Sequence, residues 1–133
     1  MIEEAIYSLL SGASTVTDLV GTRIYPLVRE QADGLPAITC QVISGVRSHD
    51  LSGPNGLVEG RVQINCFATT QLAAAQLAAA VRGILSGFQG GSSGAEIECI
   101  LLEDEGDLPY FEPEDEAMNV YAKMQDYFVL YKE

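Results

Sequence analysis

The side chains able to do chemistry in this sequence are few and poorly placed for it. Its one histidine, His49, stands in Arg47-Ser48-His49-Asp50, where a hydroxyl, an imidazole and a carboxylate are neighbours in the chain. Catalytic triads are assembled from separated elements that converge in space, so this run reads as a solvated polar loop. Two acidic runs, "EDEGD" at 103–107 and "EPEDE" at 112–116, offer oxygen ligands. Neither has the fixed Asp/Asn spacing and central glycine of a calcium loop. "GFQGGSSG" at 87–94 is glycine-rich like a phosphate loop, but it follows a helical pattern instead of a strand and lacks the closing Lys-Ser/Thr. The three cysteines, Cys40, Cys66 and Cys99, lie 26 and 33 positions apart with no CxxC and no histidine close in sequence, which excludes a zinc set. Cys40 alternates with Ile38 and Val42, Cys66 with Val62 and Ile64, and Cys99 with Ile97 and Leu101. That is the pattern of buried, reduced thiols acting as small hydrophobes. The expectation is therefore no catalytic residue, no metal and no cofactor.

The elements that carry these residues follow from hydrophobic periodicity. Ile2, Ala5, Ile6, Leu9 and Leu10 fall on one helical stripe, with Glu3 and Glu4 in the first turn where the helix dipole favours negative charge. A short second helix follows, with Ser14 as its N-cap, Val16, Leu19 and Val20 as its apolar side, and Gly21 just past its end. Arg23 to Leu27 reads as a short extended segment that Pro26 confines to an edge or an end. Ile38, Cys40 and Val42 alternate with Thr39 and Gln41. Between Val58 and Phe67 the alternation is cleaner, with Val58, Val62, Ile64 and Cys66 facing one way and Glu59, Arg61, Gln63 and Asn65 the other.

The connection "GVRSHDLSGPNGL" at 45–57 is too long and too rich in turn formers for a tight hairpin, so it is expected to protrude as a loop. Thr70 caps a helix whose apolar stripe is Ala73, Leu77, Ala80, Val81 and Ile84. These mostly small side chains permit close approach to a sheet. "GFQGGSSG" then reads as a flexible linker, and Glu96 to Glu103 and Met118 to Tyr131 as two more strands flanking an acidic loop, 104–117. In the last strand Tyr121, Tyr127 and Tyr131 oppose Met118, Val120, Met124 and Phe128. Two-sided apolar character means that a helix or another chain covers the second face, and Lys123 and Gln125 mark the tyrosine face as the one suited to a partner. Adjacent strands without strict βαβ alternation predict an α+β fold: a mostly antiparallel, curved sheet of four to five strands with two main helices on one face.

At 133 residues the chain suits one domain, 1–133, able to bury roughly 65–70% of its unfolded surface. No apolar run approaches the length of a membrane span. The opening "MIEEAIYSLL" has acids where a secretory signal needs bases, which predicts a cytoplasmic location. Nineteen acidic against seven basic residues give a net charge of −12, the reverse of a nucleic-acid-binding footprint. The charge serves solubility first.

Taken in order, "IEEAIYSLLS", "LVGTRIYPLV", "LPAITCQVISGVRSHDLSGPNGLVEGRVQINCFA", "AAAQLAAAVRGIL" and "MQDYFVLY" resemble the tail-completion, or tail-terminator, family of long-tailed phages and prophages. The resemblance spans nearly the whole chain. It implies a non-enzymatic, homohexameric ring that caps the tail tube and joins the tail to the head. Its partners would be copies of itself, the major tail tube protein and a head-completion or connector protein. It would be assembled in the host cytoplasm and then reside in the virion at the head–tail interface, with duplex DNA passing through unbound. The resemblance further implies that Gly21, Arg23, Tyr25 and Pro26 form a scaffold corner leading from helices into sheet. The loop bearing Arg47, Ser48, His49, Asp50, Leu51, Pro54 and Asn55 would make subunit or tube contacts. Two rivals stand beside it: another neck or minor tail protein of the same fold, and a small ligand-binding domain or enzyme using the acidic loop.

Overall fold

Ile2, Ala5, Ile6 and Leu10 recur at helical spacing and are all buried, so the first helix, α1 (Ile2–Ser11), seats one face and leaves Glu4 and Tyr7 exposed. The computed structural model describes residues 2–26, 36–92, 95–110 and 120–132. After α1 come α2 (Ser14–Val20), β1 (Ile24–Pro26), β2 (Ala37–Asp50), β3 (Gly53–Ala68), α3 (Gln71–Leu85), β4 (Gly90–Ser92), β5 (Ala95–Tyr110) and β6 (Val120–Lys132).

The strands form one curled six-stranded sheet in the order β1-β2-β3-β6-β5-β4. Only β1 and β2 pair in parallel, which makes the sheet mixed. The two main helices, α1 and α3, and the short α2 are as expected, and six strands stand where four to five were expected. β1 is the short extended segment that Pro26 was expected to confine to an edge, and the additional strand is Gly90–Ser92, a three-residue edge with no periodicity to read.

Two segments rich in turn formers are extended instead of looped. Residues 45–57 continue the β2–β3 ladder, pairing Gly45 with Gly60, Val46 with Glu59, Arg47 with Val58, His49 with Pro54 and Asp50 with Gly53. The chain reverses only at Leu51 and Ser52, where the Ser52 N–H donates to Asp50 Oδ1 at 2.8 Å and Gly53 takes φ +118°. A side chain that mimics a turn shortens the reversal to two residues, so the expected loop is a long two-stranded arm. Likewise Gly90, Gly91 and Ser92 of the expected linker pair with Ile97, Glu96 and Ala95.

The helices pack on one face. Their buried stripes meet Ile38, Val58, Val62, Ile64, Cys66, Ile97, Ile100, Tyr127 and Val129 in one hydrophobic cluster. α3 turns slightly from the expected orientation: Ala74, Leu77, Ala78, Val81 and Leu85 are buried, with Ala80 and Ile84 at the margin. Thr70 Oγ1 caps it by accepting from Ala73 N–H at 3.0 Å. α2 departs from expectation, since Ala13 is its N-cap with no side-chain bond and Leu19 is exposed. Gly21 ends α2 at φ 61° and ψ −120°, its N–H donating to Thr17 O. This positive-φ region is reserved for glycine, and it lies outside the αL well anticipated there.

The tyrosine face of β6 is the core face. Tyr127 and Tyr131 are buried on it, and Gln125 is fully buried against α3. Its Nε2 donates to Ala78 O at 2.9 Å and to Glu105 Oε2 at 2.7 Å, while its Oε1 accepts from Tyr127 Oη at 2.8 Å. Glu105 in turn receives Arg82 Nη1 at 2.9 Å. A polar chain thus runs from the core to the surface and ties α3 to β5 and β6. Burial first, then nearby charge, pushes the Tyr127 phenol well above its ordinary range, so it remains a donor. Met118 of the expected last strand lies outside the described residues, as do Leu27 and 111–117 of the acidic loop.

Replacing Gln125 by alanine strands the Tyr127 hydroxyl and removes the tie to α3. The expected loss is about 2–3 kcal/mol in urea unfolding, and a change below about 0.5 kcal/mol would show that the polar chain does not hold the helix.

Candidate functional site

Three features of the surface remain after the core is accounted for: the arm, the two sheet edges and a cavity beside α1. The arm extends well beyond the rest of the sheet. β3 pairs with β6 only from Leu57 to Ala68, and β1 covers β2 only at Ile38, Thr39 and Cys40. From Gln41 to Asp50 the outer edge of β2 therefore has no described strand beside it. This edge carries Ile43, Val46 at 63% exposure, and the turn residue Leu51, which is fully exposed. An unpaired edge with apolar side chains is a template for another chain.

The arm's polar residues serve its own shape. Asn55 Nδ2 donates to Ser48 Oγ at 3.2 Å, and Asn55 Oδ1 accepts from Leu57 N–H at 3.1 Å. With Asp50 Oδ1 occupied by Ser52, the oxygens of Ser48 and Asp50 both serve the hairpin. Among the described residues neither hydrogen-bonds His49, so the Ser-His-Asp run does not assemble as a triad. His49 faces solvent opposite Pro54, and Arg47 has its own interaction partner.

The opposite edge is acidic. β4 covers β5 only at Ala95, Glu96 and Ile97. Along β5, Glu98 pairs with Lys132, Glu103 with Arg61, Glu105 with Arg82 and Asp107 with Lys123. The Asp107 hydrogen bond raises the Lys123 ammonium above its ordinary pKa. These carboxylates are spent on the chain's own cations, and among the described residues no group of three His, Cys, Asp or Glu is arranged to hold a metal.

The second face of the sheet is closed at one end, where Ala37, Thr39, Phe67 and Ala122 are buried. It opens towards the arm. There Val46, Glu59, Leu130 and Cys99 form one cross-strand row, and Ser44, Arg61, Phe128 and Leu101 the next. Phe128 and Leu130 are half-buried and Leu101 is 51% exposed. A β-bulge between Ile97 and Cys99 moves Cys99 onto this face, away from Ile97, so it is not the core thiol its alternation suggests. Cys40 and Cys66 are buried. Burial first, then the charge of Glu3 on Cys40 and of Glu105 on Cys66, pushes both thiols up to about 12.

The corner residues take two roles. Gly21 reverses the chain, and Arg23 Nε donates to Pro36 O at 2.8 Å while Arg23 O accepts from Ile38 N–H, fastening β1 to β2. Tyr25 and Pro26 instead line a cavity of about 390 Å3 between α1 and β1. The cavity has no counterpart in the sequence reading, where Glu3 and Glu4 serve only the helix dipole. The corner and the arm's turn are not brought together, since Asp50 lies ten residues beyond Cys40 on β2, about 33 Å at the rise of a strand.

Residues 4–103 match the family described as tail completion protein gp17. A solved chain from the virion of a native gene transfer agent (GTA) particle has a similar fold, with a TM-score of 0.73 at 16% identity over 97% of this chain and 92% of that one. Comparison with curated proteins gave no match.

The buried thiols set an alkaline limit on the fold. Unfolded cysteines ionise near 9.0 whereas folded Cys40 and Cys66 hold their protons to about 12. Above that unfolded value the unfolded state binds fewer protons, so stability is fully present below pH 9 and falls with rising pH, by up to about 1.4 kcal/mol per pH unit for each thiol. Urea unfolding between pH 8 and 11 checks this, and replacing both thiols by alanine is expected to flatten the slope.

Proposed function

Because the chain belongs to the tail completion protein gp17 family, we propose that it forms a ring, six-fold by resemblance to tail terminators, that ends the tail tube and meets the head-completion proteins. It is a non-enzymatic structural protein of the virion tail. The single observation that carries the ring reading is the arm: a β2 edge with no described strand beside it and a projecting hairpin with exposed Val46 and Leu51. A two-stranded ribbon is marginal alone in water, so its natural cover is a second copy of the chain. Contact between unlike patches repeats head to tail and closes into a ring when the rotation permits. The arm of one copy seated across the open end of the next copy's second face, near Leu101 and Phe128, fits that rule. Arg47, Ser48, His49, Asp50, Pro54 and Asn55 shape the arm in this reading, and Leu51 anchors it.

Six copies at −12 each would carry −72, which repels duplex DNA from a ring lumen and lets it pass without sticking. The same charge opposes assembly at low salt.

Light scattering tests the ring. The wild type, alone or with purified tail tubes, is expected to gain mass in multiples of the subunit, and a Val46→Asp/Leu51→Asp variant to stay monomeric with an unchanged unfolding midpoint. A variant that assembles like the wild type would remove the arm from the interface. Raising salt from about 10 to 150 mM, which shortens screening from about 30 to 8 Å, is expected to increase the assembled fraction. No change would exclude surface repulsion as the control. Reversing the acids that line the lumen of the assembled ring to lysine is expected to slow DNA ejection from assembled particles, and unaltered ejection would count against a repulsive lumen.

A further inference from the structure

We draw no further inference here: the strongest candidate, the apolar cavity between α1 and β1 walled by Tyr7, Ile24, Tyr25 and Pro26, adjoins residues outside those described, and nothing in the structure shows what covers it.

Discussion

The structure depends on a single asymmetry of its sheet: three helices cover one face, and no described helix packs on the other. Strand geometry then forces each side chain to one side or the other. Val58, Val62, Ile64 and Cys66 alternate into the helices, and Glu59, Arg61, Gln63 and Asn65 face away. The bulges at Ile43, Ser48, Glu98 and Glu103 reset this alternation and bend the strands. Their effect is to bring Val46, Cys99 and Leu101 onto the open face while Ile97, Ile100 and Leu102 stay with the core. Apolar surface is thereby concentrated where the arm leaves the sheet.

The charges follow a second asymmetry. Seven cations face nineteen acids, and four of those cations stand against β5. Exposed ion pairs contribute little to stability individually; their effect here is to tie β5 to α3, β3 and β6.

Much of the fold was legible from residue patterns. The stripe of α1, the Thr70 cap, the alternation of β3 and the burial of Cys40 and Cys66 all follow from periodicity and local hydrogen bonding, which short-range sequence encodes. Where the reading failed, long-range pairing overrode composition. Gly45, Ser48, Gly53, Pro54 and Asn55 look like a loop, yet ladder pairing with an unbroken partner keeps them extended. Gly90–Ser92 looks like a linker until β5 lies beside it. Bulges are equally silent, so Cys99 was assigned to the wrong face. Of the two covers expected for the tyrosine face, a helix or another chain, α3 supplies it, and Gln125 is buried there because Ala78 O, Glu105 and Tyr127 satisfy it, a condition no local pattern announces. The candidate surfaces divide the same way. The arm's position was evident and its form was not, and the cavity arises only when α1 and β1 meet in space.

The central claim is that the outer β2 edge, beside which no described strand lies from Gln41 to Asp50, and the arm are the surfaces used in assembly. Hydrogen–deuterium exchange, comparing the chain alone with the chain bound to purified tail tubes, addresses it most directly. The account predicts new protection concentrated in residues 41–57, with the core amides of β3 and β6 already slow in both states. Protection absent from that segment and confined to other surfaces would contradict it.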